Sequence, residues 1–137
     1  MKSKAKLVVL VIIVSFGLAA CGGSRSGPSR EGVDITGVWK QDEGPDFLQL
    51  NEDGTYAVAP INPDFLEKAP ADRGEFRLEG TSFTFITSSE SAFCAGQTGS
   101  YQVELTEQGQ LHFVELQEDE CQDRAKYYLG AWSRYEP

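Results

Sequence analysis

From Asp34 onward the chain alternates apolar and polar residues with a period of two, and almost no stretch shows the three-to-four spacing of an amphipathic helix. The alternation predicts eight strands: Asp34–Gln41, Phe47–Asn51, Thr55–Ala59, Gly74–Glu79, Ser82–Thr87, Gly99–Thr106, Gln110–Gln117 and Tyr128–Tyr135. Three of the junctions, Asn51–Gly54, Leu78–Thr81 and Thr106–Gly109, put Gly54, Gly80 and Gly109 where a tight hairpin needs positive φ. The other four, Asp42–Asp46, Pro60–Arg73, Ser88–Thr98 and Glu118–Tyr127, are longer, and the two kinds alternate along the chain. In an up-and-down meander that alternation collects every short hairpin at one end and every long loop at the other. Eight strands with no helix to cover them lose their exposed edges by closing. The expected fold is therefore all-β, an eight-stranded antiparallel up-and-down barrel over residues 34–137. Its inward face would carry Trp39, Leu48, Tyr56, Val58, Phe76, Leu78, Phe83, Phe85, Tyr101, Val103, Leu111, Phe113 and Trp132.

The first twenty residues have a different pattern. Lys2, Lys4 and Lys6 precede an apolar run from Leu7 to Ala20 that is too short to span a bilayer comfortably. This is the n-region and h-region of a secretory signal. The run ends in Leu18-Ala19-Ala20-Cys21, which resembles the lipobox of bacterial lipoproteins, where the cysteine is lipidated and the preceding peptide removed. The resemblance implies a signal peptide at 1–20, a lipidated Cys21 and a membrane-tethered, non-spanning protein of the cell envelope, because two or more acyl chains give stable anchoring. Gly22 fits an outer-membrane address in a diderm host; otherwise the anchor would lie in the outer face of the cell membrane. Residues 21–33, rich in Gly and Ser, form a flexible tether with a reach of roughly 15–20 Å.

Charge then narrows the partners. The whole chain has 12 Lys and Arg against 21 Asp and Glu, a net charge of −9. Removing the first twenty residues takes three lysines and no acid, leaving nine basic residues against 21 acidic ones, or −12. So acidic a domain has no sequence-independent grip on nucleic acid, which needs clustered cations to displace counterions.

Export also bears on the cysteines. With Cys21 lipidated, Cys94 and Cys121 remain in an oxidising setting where disulfides persist. Both fall in long loops at the same predicted end, so a bridge between them is geometrically allowed. A catalytic or metal-binding role for the two thiols is the sharper alternative.

Gly37-Val38-Trp39 in the first strand, with Gly130-Ala131-Trp132 and Arg134 in the last, resembles the lipocalin-like or calycin arrangement. In that superfamily a G-x-W places a tryptophan at the closed barrel end and a late arginine packs across it. The resemblance implies that Trp39, Trp132 and Arg134 pack the end bearing the short hairpins. The other lipocalin motifs and their C-terminal helix have no counterpart here.

An eight-stranded barrel either fills with its own side chains or holds one small ligand. Any pocket would open among the long loops, lined by Leu48, Val58, Phe76, Phe85, Tyr101 and Tyr128, with the tyrosine hydroxyls orienting a hydrophobic or amphipathic ligand. Chemistry is otherwise sparse. His112 is expected to point outward, and no nucleophile–base–acid set, metal-ligand spacing or cofactor motif stands out. Glu118, Asp119, Glu120 and Asp123 could hold Ca²⁺ with Asp42, Glu43 and Asp46, or be solvated loop charge. Two non-enzymatic readings follow: a lipid-anchored barrel that binds a small ligand, or a solid barrel whose loop end meets a protein partner. The secreted barrel inhibitors of bacterial metalloproteases, similar in size and also bearing a G-x-W, illustrate the second. Their free N-terminal segment enters the enzyme, which a lipidated Cys21 would forbid. A structural envelope protein with neither role is the third.

Overall fold

The structure is a computed structural model and describes residues 33–137. The expected signal peptide, Cys21 and nearly all of the expected tether lie outside the described residues. Eight strands form a closed antiparallel barrel in sequence order: β1 (Gly37–Gln41), β2 (Asp46–Leu50), β3 (Thr55–Pro60), β4 (Asp72–Glu79), β5 (Ser82–Thr87), β6 (Thr98–Leu105), β7 (Leu111–Asp119) and β8 (Gly130–Arg134). Two short helices interrupt the meander, α1 (Phe65–Lys68) between β3 and β4 and α2 (Gln122–Tyr128) between β7 and β8. Closure comes from β8, which pairs with β1 at Trp39↔Arg134 and with β7 at Leu111↔Trp132.

The short hairpins turn where glycine was expected. Gly54 and Gly109 adopt φ of 84° and 78°, and each amide donates back to the carbonyl three residues earlier, at Asn51 and Thr106. Boundaries shift elsewhere. The first strand starts at Gly37 rather than Asp34, and β4 starts at Asp72, two residues before Gly74. The largest correction is at the last connection. Gln122–Tyr128 is helical, so Tyr128 closes a helix and does not open the final strand. Arg124 and Tyr128, four apart on one helix face, are its buried residues, and Asp123 and Lys126 sit at the ends that the helix dipole favours.

That helix makes up for a short strand. β8 has five residues and pairs with β7 only at Leu111, His112 and Phe113, whereas β7 runs nine residues and pairs with β6 up to Asp119. α2 packs against β7 in place of a longer β8.

Inside, one continuous cluster contains Ile35, Trp39, Leu48, Leu50, Tyr56, Val58, Phe83, Phe85, Tyr101, Val103, Leu111, Phe113, Tyr128 and Trp132, with Phe76, Leu78, Phe93 and Ala125 packed on it. A second, smaller cluster of Phe47, Ala57, Ala59 and Leu66 seats α1 against β2 and β3. Among the described residues no helix is long and apolar enough to cross a membrane.

Candidate functional site

At the long-loop end the apolar core gives way to a buried polar centre. Asp72, the first residue of β4, is 1% exposed. Its Oδ1 accepts hydrogen bonds from the Tyr56 hydroxyl at 2.9 Å and the Ser91 hydroxyl at 3.1 Å, and its Oδ2 accepts from the Tyr128 hydroxyl at 2.8 Å. Tyr56 also shares a 2.7 Å bond with the Thr87 hydroxyl. Burial pushes the Asp72 carboxyl above the usual carboxylate range, and the hydrogen bonds from Tyr128 and Tyr56 pull against it. Burial, together with the neighbouring Asp72 charge, pushes the Tyr56 and Tyr128 hydroxyls up as well.

A second group sits beside it on α2. Arg124 is fully buried, its Nε 3.3 Å from Asp119 Oδ2, with Nη2 donating to the Gln97 carbonyl at 3.3 Å. The guanidinium lies 5.5 Å from the centre of the Phe85 ring. Asp119 also accepts from the Tyr101 hydroxyl at Oδ2 and from the Cys121 amide at Oδ1, the latter at 2.7 Å. Arg124 Nη1 has no hydrogen-bond partner among the described residues. An unpaired buried donor of this kind is costly, and the remaining contacts hold the charge in place.

Covalent and loop contacts hold α2 in place. Cys94 and Cys121 form a disulfide, Cα to Cα 5.6 Å, that ties the β5–β6 loop to the start of α2. Both sulfurs lie at the long-loop end, as the alternating connections imply. Glu120 Oε2 accepts from the Thr98 amide at 2.7 Å, a bond that holds its carboxyl below the usual range.

The residues expected to line a pocket lie in or against the core cluster. Leu48, Val58, Phe85, Tyr101 and Tyr128 belong to the core cluster, and Phe76 is half-buried against it. Phe85 meets Phe83 at 4.6 Å between ring centres, Tyr56 at 4.9 Å, Tyr128 at 5.3 Å and Tyr101 at 5.7 Å. These side chains pack against one another. Both tyrosine hydroxyls expected to orient a ligand, those of Tyr128 and Tyr101, donate to Asp72 and Asp119.

At the opposite end Arg134 stacks over Trp39 at 4.4 Å and donates to the Thr36 carbonyl at 2.6 Å. Trp132 is not part of that closure. It pairs with Gln41, its ring packs on Tyr128 and Phe113 at 6.3 Å from each, and its indole N–H donates to the Tyr128 carbonyl at 3.0 Å. Trp132 therefore supports α2.

The acidic residues weighed as a Ca²⁺ set are dispersed. Asp119 is consumed by the buried network, Glu120 by Thr98, and Asp123 by Lys126 at 2.7 Å. Among the described residues no three His, Cys, Asp or Glu side chains come together as metal ligands. His112 is half-buried, with Nδ1 3.6 Å from Glu104 Oε1. Sequence reasoning missed Asp72 and Arg124. The only signal for Arg124 was its four-residue spacing from Tyr128; Asp72 had none. No known family model matches the chain, and no curated protein matches it.

Proposed function

We propose that the protein is a lipid-anchored, solid-core barrel of the bacterial cell envelope that works without catalysis, by presenting a rigid loop end to a protein partner. The observation that carries this reading is the ring packing around Phe85, which fills the interior through the positions a ligand chamber would need. The disulfide, the Asp72 bonds and the Arg124–Asp119 pair then fix α2 and the adjoining loops in one conformation. Preordered loops lose little entropy on association, which suits a surface built for recognition. The lipobox-like Cys21 supplies the anchor, and the resemblance to the lipocalin-like barrels extends to the architecture but not to their ligand.

One observation favours the small-ligand reading. Among the described residues Nη1 of Arg124 is a buried donor without a hydrogen-bond partner, at the end where a lipocalin-like mouth would open. Native mass spectrometry of the lipid-modified chain from its own host separates the two. An empty barrel that retains a protein supports surface recognition, whereas a retained small mass lost in Arg124→Lys supports an internal ligand.

A further inference from the structure

A shallow trough of about 240 Å³ lies on the outer wall at the loop end, lined by Gln41, Asp42, Glu43, His112, Leu129, Gly130 and Ala131. Its shape follows from the strand register. Ala131 on β8 pairs with His112 on β7, His112 pairs with Glu104 on β6, and on the other side the Asp42 amide donates to the Ala131 carbonyl at 3.0 Å. The row thus reads Asp42, the residue after β1, then Ala131, His112 and Glu104 on β8, β7 and β6. The floor is low because β8 opens with Gly130 and Ala131, and a Cβ at Gly130 would meet nothing within 4 Å. Leu129, 37% exposed, adds an apolar wall.

The walls carry uncompensated negative charge. Asp42 and Glu43 are exposed, and among the described residues neither takes part in an ion pair. Asp42 accepts only a neutral bond, from Gln110 Nε2 at 2.8 Å. The nearest cation in sequence, Lys40, is committed elsewhere: its amine donates to the Gly44 and Gln41 carbonyls and lies 5.0 Å from the Phe47 ring centre.

We infer that this trough receives a Lys or Arg side chain of a partner protein. Its volume falls below the roughly 300–1,000 Å³ of small-molecule pockets, which suits one long side chain rather than a ligand. Leu129 and the small-residue floor take the methylene stem, and Asp42 and Glu43 take the cationic head. A second copy of this chain is a poor occupant, since each mature copy carries −12. The inference rests on the protein-contact reading and gives it a place and a partner chemistry.

Titration of the full chain in detergent micelles with the blocked peptide Gly-Val-Arg-Val-Gly, followed by amide NMR shifts, tests the trough. Expected are salt-sensitive shifts at Leu129, Ala131 and His112, weakened about tenfold or more when norleucine replaces the arginine or in Asp42→Asn/Glu43→Gln. Equal binding of the norleucine peptide, shifts confined to other surfaces, no shift, or concentration-dependent self-association through this face would overturn it. Photo-crosslinking in the host, with benzoylphenylalanine in place of Leu129, separates the two levels. An adduct lost in Ala131→Phe supports the trough. The same adduct in both keeps the protein-contact reading and overturns the trough, and no adduct from any loop-end position overturns the reading itself.

Discussion

Tyr128 and Asp72, 56 residues apart in sequence, are joined by a 2.8 Å hydrogen bond that fastens the last turn of α2 to the first residue of β4. Both groups are buried, so water does not substitute when one is removed. Tyr128→Phe should therefore destabilise the barrel by about 1–3 kcal/mol, the cost of leaving a buried acceptor with one bond fewer. Denaturant unfolding checks this: the midpoint should fall with the slope unchanged.

The same carboxyl makes stability depend on pH in an unusual direction. Asp72 is raised in the folded state by burial, so the folded chain holds that proton more tightly than the unfolded one. Its contribution is most favourable below the ordinary carboxylate range, near 4, and declines as pH rises from there through its raised folded value. Asp34, Asp53 and Glu120 are lowered and act oppositely, adding stability above their unfolded values. The difference between wild type and Asp72→Asn isolates the buried group. Wild type should lose stability relative to the variant as pH climbs from 4 toward neutrality, and parallel curves would contradict the assignment.

Reduction of the Cys94–Cys121 bridge should release α2. The bridge closes a 27-residue separation, worth about 3.5 kcal/mol in the chain-entropy account. Cys94→Ser/Cys121→Ser should lower stability by about that amount and remove hydrogen-exchange protection from Arg124 to Tyr128 before it touches β1 to β5.

The barrel itself was legible because its signals are local. Period-two alternation and the glycine turns specify strands and hairpins without reference to the rest of the chain, and alternating loop lengths then sort the two rims. The polar centre was not legible. Asp72 reads as a loop carboxylate beside Arg73, and only the arrival of Tyr56, Ser91 and Tyr128 from three distant segments makes it a buried acceptor. Asp119 was counted among solvated acids because nothing in the sequence Glu118-Asp119-Glu120 marks the middle residue as the one facing Arg124. Tyr128 was misassigned for a related reason: α2 spans seven residues, too few for helical periodicity to outweigh the apolar run that follows it.

At the sealed end, Arg134 lies against both Trp39 and the backbone. Arg134→Ala should cost about 1–2 kcal/mol through the lost cation–π contact and the bond to Thr36. Gly37→Ala should cost more, because Gly37 has φ of 121° and its added Cβ would collide with the Arg134 guanidinium. A double-mutant cycle should show the two changes to be non-additive, since removing the arginine side chain relieves the collision but not the backbone strain.

A filled interior has its own signature, and Phe85 is where to look for it. This ring touches Phe83, Tyr56, Tyr101, Tyr128 and the Arg124 guanidinium, so it packs where the aromatic core meets the polar centre. Phe85→Ala should destabilise by about 3–5 kcal/mol. It should also create what the native barrel fills, an apolar space that takes up benzene or a hydrophobic fluorophore. The expected pair of results is no saturable uptake by wild type and saturable uptake by the variant, measured by fluorophore titration with benzene competition. Uptake by wild type that disappears in Phe85→Ala would reverse the argument, because the ring would then be part of a native ligand site rather than the group that occupies it.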